Sequence, residues 1–287
     1  MKILRFLFRS VIALFALVVV AVAVLLASMS GSFHQPASLH EFGAFQAPAG
    51  PVLVVGATQN TGLEIVRELR ARGVPVVASV RSTSNTAALD ALGVDKVVFD
   101  AMNAEEVRAA IVPGRFSAVV STLGTAARDL PERRGWFEAL TEGQNKMDPE
   151  KRPDFKGNRN LVDAAKAAGV PRFVLVTVIG TGDSARAAPV LARRALADIM
   201  PLKDQAEQHL RESGLQWTVI RPGGLGTRVL AATGTARLTD DPGSFSYIGR
   251  VDLARLVVNA LGDPSTVGRN FTAWDPSRLN VWSLFSD

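Results

Sequence analysis

The most constraining feature of this 287-residue chain is the apolar run Val52–Val55 followed at once by Gly56-Ala57-Thr58-Gln59-Asn60-Thr61-Gly62. A short apolar strand that breaks at glycine and runs on into an amphipathic stretch, with Leu63, Val66 and Leu69 on one face, is a strand–turn–helix unit. Glycine at each end of the turn lets the backbone approach a ligand and the helix pack closely on the strand. The helix then directs its unbonded amides and the positive end of its dipole at the turn, which suits a pyrophosphate. Gly56, Thr58, Gln59, Asn60, Thr61 and Gly62 are therefore expected to bind a dinucleotide. Gln59 stands where many dinucleotide folds carry a third glycine, so the pattern is incomplete.

From Pro51 onward, apolar runs alternate with amphipathic helical stretches. This is the pattern of a parallel sheet covered on both faces. Strands are expected at Val52–Val55, Val76–Val80, Lys96–Phe99, Ser117–Thr122, Phe173–Val178, Trp217–Ile220 and Asn270–Trp274. Helices are expected at Leu63–Arg72, Arg159–Ala168, Val190–Glu212 and Val251–Leu261, and Asn103-Ala-Glu-Glu106 reads as a capping box. The fold class is α/β: a doubly wound, Rossmann-type parallel sheet over residues 51–287.

The end of the second strand separates two cofactors, because an acid there bonds a ribose 2′-hydroxyl whereas arginine matches a 2′-phosphate. Here the strand ends Ser79-Val80-Arg81-Ser82 without an acid. Arg81, aided by Ser82 or Ser84, predicts NADP(H) over NAD(H).

Residues 1–30 form a separate block. Val11 to Ala27 is unbroken apolar sequence preceded by Lys2, Arg5 and Arg9. A single membrane-spanning helix is expected, with a cleaved signal peptide as the alternative. The basic flank keeps the N-terminus in the cytoplasm and sends the domain across, whereas free NADP(H) is chiefly cytoplasmic, so the side of the membrane stays open. Residues 31–50, with Gly31, Pro36, Gly43, Pro48 and Gly50, read as a linker.

Composition removes several chemistries. There is no cysteine, hence no disulfide, thiolate nucleophile or cysteine-bound metal. His34, His40 and His209 lack metal-site spacing, so no metal is expected. The net charge of +5 is spread without a basic stripe interleaved with aromatics, and no nucleic-acid partner is expected. Gly-x-Ser-x-Gly, a phosphate-loop lysine motif and His-Glu-x-x-His are all absent.

Further segments occur in a recognisable order: Gly-Ala-Thr-x-x-Thr-Gly at 56–62, Phe99-Asp100, Lys156-Gly-Asn-x-Asn-Leu-Val-Asp-Ala-Ala165, Arg172-Phe-Val-Leu-Val176, Ser213-Gly-Leu215 and Arg221-Pro-Gly-Gly-Leu225. Over about residues 51 to 275 the chain resembles the atypical short-chain dehydrogenase/reductases of the NAD(P)H-binding, NmrA-like kind. The resemblance implies that Asp100 lies beside adenine, that Thr122, Leu123 and Gly124 line the cofactor, and that Pro222 and Gly223 approach the nicotinamide. Lys203 matches the lysine of the superfamily's Tyr-x-x-x-Lys and would orient the nicotinamide ribose. The tyrosine position is Ile199, which transfers no proton. Thr177-Val178 replaces the common serine pair. The single tyrosine, Tyr247, and His209 receive no catalytic role.

Residues 125–154 are polar and leave the carboxyl end of a strand, where ligands of such folds sit. This loop is a candidate cover for the crevice, with Trp136 and Phe137 contacting a hydrophobic substrate or a protein partner, or simply tacking the loop down. Two functions are expected. One is a membrane-anchored NADPH-dependent oxidoreductase acting on a small, lipophilic molecule. The other is a non-catalytic NADP(H)-binding assembly factor or redox-responsive scaffold with a membrane-protein partner.

Overall fold

The computed structural model describes residues 2–29, 34–125, 148–225 and 231–279. The helices and strands, in chain order, are α1 (Lys2–Met29), β1 (Val52–Val55), α2 (Asn60–Ala71), β2 (Val76–Val80), α3 (Ala87–Ala91), β3 (Asp95–Val98), α4 (Ala104–Ala110), β4 (Ala118–Ser121), α5 (Asn158–Ala167) and β5 (Arg172–Val176). They continue with α6 (Val190–Ala195), α7 (Met200–Glu212), β6 (Gln216–Pro222), β7 (Gly224–Leu225), β8 (Arg237–Thr239), β9 (Tyr247–Ile248), α8 (Arg250–Leu261) and β10 (Arg269–Trp274).

Eight strands form one sheet in the order β3-β2-β1-β4-β5-β6-β10-β8, while β7 and β9 pair separately. All pairings in the large sheet are parallel except β10 with β8, which is antiparallel. The order reverses between β1 and β4, which opens a crevice at their carboxyl ends. The expected doubly wound sheet is thus present.

Strand β1 shows why the sheet needs cover on both faces. Its four residues are all buried, and alternate side chains enter opposite cores. Val52 and Val54 pack with Ile65, Leu69, Val257 and Phe271 under α2 and α8. Leu53 packs with Val119, Leu161, Phe173 and Leu210 under α5 and α7. Each such side chain contributes roughly 1.5–3 kcal/mol on burial.

Two helices differ from expectation in ways that matter for the site. Helix α2 begins at Asn60, so the end of the glycine turn is itself the first helical turn. The stretch 190–212 is two helices rather than one. Pro201 sits in the first turn of α7, where its missing amide is harmless; a continuous helix would place it in an interior.

Among the described residues no helix is long and apolar enough to cross a membrane. This overturns the expected transmembrane anchor and the single-pass membrane localisation built on it. Helix α1 itself is formed, over Lys2–Met29.

Residues 34–50 contain no helix or strand, yet they are fastened to the domain. The His40 amide donates to the Leu238 carbonyl at 2.7 Å, and Gln46 N–H donates to the Gly262 carbonyl at 2.8 Å. Thr239 donates its hydroxyl to the Ser38 carbonyl at 2.7 Å. The Arg72 guanidinium lies 4.9 Å from the centre of the Phe45 ring.

Candidate functional site

A cleft of about 650 Å³ opens at the carboxyl ends of the parallel strands, a size typical of ligand sites. It is lined by all six turn residues expected to bind the dinucleotide: Gly56, Thr58, Gln59, Asn60, Thr61 and Gly62. Gly56 has φ +84°, and a Cβ at Gly62 would stand 2.0 Å from the Gly56 carbonyl oxygen. Glycine at Gly62 is therefore a packing requirement between helix and strand. Asn60 takes φ 53°, a left-handed value that asparagine tolerates better than most residues. Helix α2 has no side-chain cap, and its first ladder bond runs from Leu63 N–H to the Gln59 carbonyl. The amides of Asn60, Thr61 and Gly62 precede that bond and have no helical acceptor.

At one end of the cleft lie Ser79, Arg81, Ser84 and Asp100. Ser84 accepts the Arg81 amide at 3.0 Å; Ser82 does not join the lining. Asp100 does two things: Oδ1 accepts the Met102 amide at 2.9 Å, closing a turn, and the residue faces the cleft. Glu106 holds that turn from α4, accepting the Asp100 amide at 2.8 Å and the Asn103 side-chain amide at 2.8 Å. The Asn103 cap is formed as expected, but Glu106 reaches past the Asn103 backbone to Asp100, so the capping box is not reciprocal.

Thr122, Leu123 and Gly124 line the middle. Thr122 donates its hydroxyl to the Val55 carbonyl at 3.0 Å, tying β4 to β1. Beneath them, Asn158 receives the Ser121 hydroxyl at 2.7 Å and donates to the Asp154 carbonyl at 2.9 Å. Asn160 donates to the Ala101 carbonyl at 2.8 Å. The Lys156-Gly-Asn-x-Asn segment is thus a clamp that fixes the loops after β3 and β4.

At the other end are Thr125, Arg152, Pro153, Val176, Thr177, Lys203, Pro222, Leu225 and Arg250. Lys203 forms an ion pair of 2.9 Å with Asp154, whose side chain is fully buried. The Thr125 amide donates to the other Asp154 oxygen at 2.8 Å, and the Thr125 hydroxyl bonds it too. Burial alone would raise the Asp154 pKa; the Lys203 charge and the Thr125 hydrogen bonds outweigh it and hold the carboxyl below its ordinary value. Gly124 makes room for this pair, since a Cβ there would meet Lys203 Nζ at 2.9 Å and Asp154 Oδ1 at 3.0 Å. Arg250, at the start of α8, has its pKa lowered by burial.

Some expected residues stand elsewhere. Pro222 lines the cleft, but Gly223 does not; a Cβ on Gly223 would run into the Ser246 carbonyl oxygen. Tyr247 is buried outside the lining, edge-on to Phe245 at 5.4 Å, and its pKa is raised by burial. His209 pairs with Asp163 at 2.7 Å, also outside the lining. Ile199 is buried and its carbonyl accepts the Lys203 amide at 3.1 Å, so the position one turn before the lysine carries no acid. Trp136 and Phe137 lie outside the described residues.

The contributions of Asp154, Thr125, Arg152 and Arg250 were not visible in the sequence. The signals for this region were the loop 125–154, expected over the crevice, and the motif beginning at Lys156, two residues after Asp154.

Fold and cleft together define a Rossmann-type dinucleotide-binding protein. A model of the NAD(P)H-binding family matches residues 56–264, and the chain belongs to that family, among the atypical short-chain dehydrogenase/reductases. It is 29% identical over 238 residues to the NAD(P)H azoreductase of Xenophilus azovorans, covering 80% of this chain and 69% of that one. It is 31% identical over 191 residues to the chloroplastic protein TIC 62 of Pisum sativum, covering 61% of this chain. That match spans only 32% of TIC 62. Among solved structures, the anaerobillin reductase ChuY from Escherichia coli O157:H7 superposes with a TM-score of 0.63 at 27% identity, covering 79% of this chain and 97% of that one.

Proposed function

We propose that this protein binds NADP(H) in preference to NAD(H) and uses it to reduce a small-molecule acceptor. The observation that carries this reading is the continuity of one cleft from Arg81, past the uncapped start of α2, to Lys203. The free amides at Asn60–Gly62 suit a pyrophosphate, and Arg81 with Ser84 suits a 2′-phosphate. Asp100 and Thr122–Gly124 flank the adenine and central portions, and Lys203 holds the ribose at the Pro222 end. When bound, the dinucleotide supplies the hydride. The chain supplies orientation and a partly apolar wall of Val176, Pro222 and Leu225. The Thr125 and Thr177 hydroxyl protons are committed to Asp154 and Glu207. With Ile199 in the tyrosine position, the proton for the reduced product comes from water or from the substrate.

The test is calorimetric titration of the full chain with NADPH and NADH, wild type beside Arg81→Ala. Wild type should favour NADPH by about tenfold or more, a charge-assisted contact's worth, and the variant should lose that preference. Equal wild-type affinities would reject it. Turnover is then sought by following NADPH oxidation with azo, quinone and carbonyl acceptors.

A second reading is a non-catalytic NADP(H)-binding assembly factor or scaffold. Buried Ile199 one turn before Lys203 favours it. Tight NADPH binding with no oxidation by any acceptor supports this alternative.

A further inference from the structure

We propose that Asp154 sets the charge that Lys203 presents to the cleft, and that this pair governs the protein's relative affinity for oxidised and reduced dinucleotide. The inference rests on the reading that the nicotinamide ring enters at the Lys203 and Pro222 end.

The oxidised ring carries a positive charge and the reduced ring carries none. A lone ammonium lining that end would repel the oxidised form selectively. Here the ammonium is not alone: Asp154 Oδ1 stands 2.9 Å from Nζ, and the carboxylate is fully buried while the lysine side chain keeps 14% exposure. The carboxylate is itself fixed on its second oxygen by the Thr125 amide at 2.8 Å and by the Thr125 hydroxyl. Its backbone carbonyl is held by Asn158 at 2.9 Å. The absent Cβ at Gly124 allows the pair to sit directly against the loop that lines the cleft. So the cation is pinned in place, and its field is cancelled from behind. In a partly desolvated cleft an uncompensated charge acts much more strongly than in water. Asp154 is thus a positioning residue that acts through Lys203.

The experiment measures dissociation constants for NADP⁺ and NADPH on the full chain by calorimetry, in wild type, Asp154→Asn, Lys203→Met and the double variant. Asp154→Asn keeps an acceptor for Thr125 but leaves the lysine charge uncancelled. It should raise the ratio Kd(NADP⁺)/Kd(NADPH) by about tenfold. The double variant removes both charges of the pair, leaves Arg152 and Arg250 as they are, and should return the ratio to within about twofold of wild type. Lys203→Met leaves the Asp154 carboxylate uncancelled and should lower the ratio. A merely structural role for Asp154 would not be rescued by removing its partner. Thermal denaturation checks that each variant is folded; if Asp154→Asn is not, the double variant and Lys203→Met still decide the sign. A ratio unchanged in Asp154→Asn, or a rise that persists in the double variant, overturns the inference while the dinucleotide reading stands. Failure of wild type to bind either nucleotide overturns both.

Discussion

Arg221 of β6 and Glu207 of α7 clasp each other in the interior, with Nε donating to Oε1 at 3.1 Å and Nη2 donating to Oε2 at 2.6 Å. Both side chains are almost wholly buried. Oε1 also accepts the hydroxyls of Thr177 and Thr181, each at 2.7 Å. Burial opposes the charge on Arg221, yet Glu207 and Asp183 outweigh it and raise its pKa. The pair joins the strand that ends at Pro222 to the helix that carries Lys203.

Removing one partner leaves the other charged and buried. Arg221→Met should destabilise the fold by about 3–5 kcal/mol, whereas Arg221→Met combined with Glu207→Leu should cost less than Arg221→Met alone. Urea unfolding of the single and double variants checks this. A double variant that is the least stable of the set would contradict it.

Gly62→Ala forces a methyl against the Gly56 carbonyl. Helix α2 must move away from β1, at a cost of about 1–3 kcal/mol. Because the same movement displaces the amides of Asn60 and Thr61, NADPH affinity should fall as well. A thermal shift assay with and without nucleotide reads both effects.

Asn158→Ala deletes the bonds to Ser121 and to the Asp154 carbonyl inside a buried site. Leaving those groups unsatisfied should cost about 1–3 kcal/mol. NADPH binding should weaken too, since Leu123 and Asp154 lose their common anchor. Unfolding and titration together distinguish this from a surface change, which would alter neither.

Asp263 predicts an acid-sensitive end of the molecule. Burial opposes its ionisation, but the Ser265 hydroxyl and amide, the Gly43 amide and His40 lower its pKa from 3.8 to about 2. Its stabilisation is therefore complete above the unfolded value and is lost as pH falls through about 2. It amounts to about 2 kcal/mol. Unfolding free energies measured at about pH 5 and about pH 2 should differ less in Asp263→Asn than in wild type. Hydrogen exchange at Gly43 should accelerate in the variant.

The sheet was legible because β1, β2, β4 and β5 are mostly apolar runs, as a parallel sheet covered on both faces requires. The turn at Gly56–Gly62 was legible because its constraints are local. Asp154 was not, since its meaning depends on Lys203, 49 positions later, and on a glycine that clears space for both. The single long helix expected over 190–212 failed at Pro201, whose placement in a first turn outweighs the apolar periodicity. The transmembrane expectation rested on the apolar run Val11–Ala27 and its basic flank, whereas no helix among the described residues is long and apolar enough to cross a membrane. The fastening of residues 34–50 depends on isolated bonds to Leu238, Asp263 and Gly262, and such bonds leave no periodic trace.

The contact between His40 and Leu238 has a consequence for the company the chain keeps. Strand β8 ends the sheet, and its outward carbonyl at Leu238 and side chain at Thr239 are taken up by residues 38–40. An exposed strand edge is a template on which another chain adds by backbone pairing. Here the chain's own leading segment occupies part of that template, so a variant that releases it would bare a sticky edge and invite association between copies.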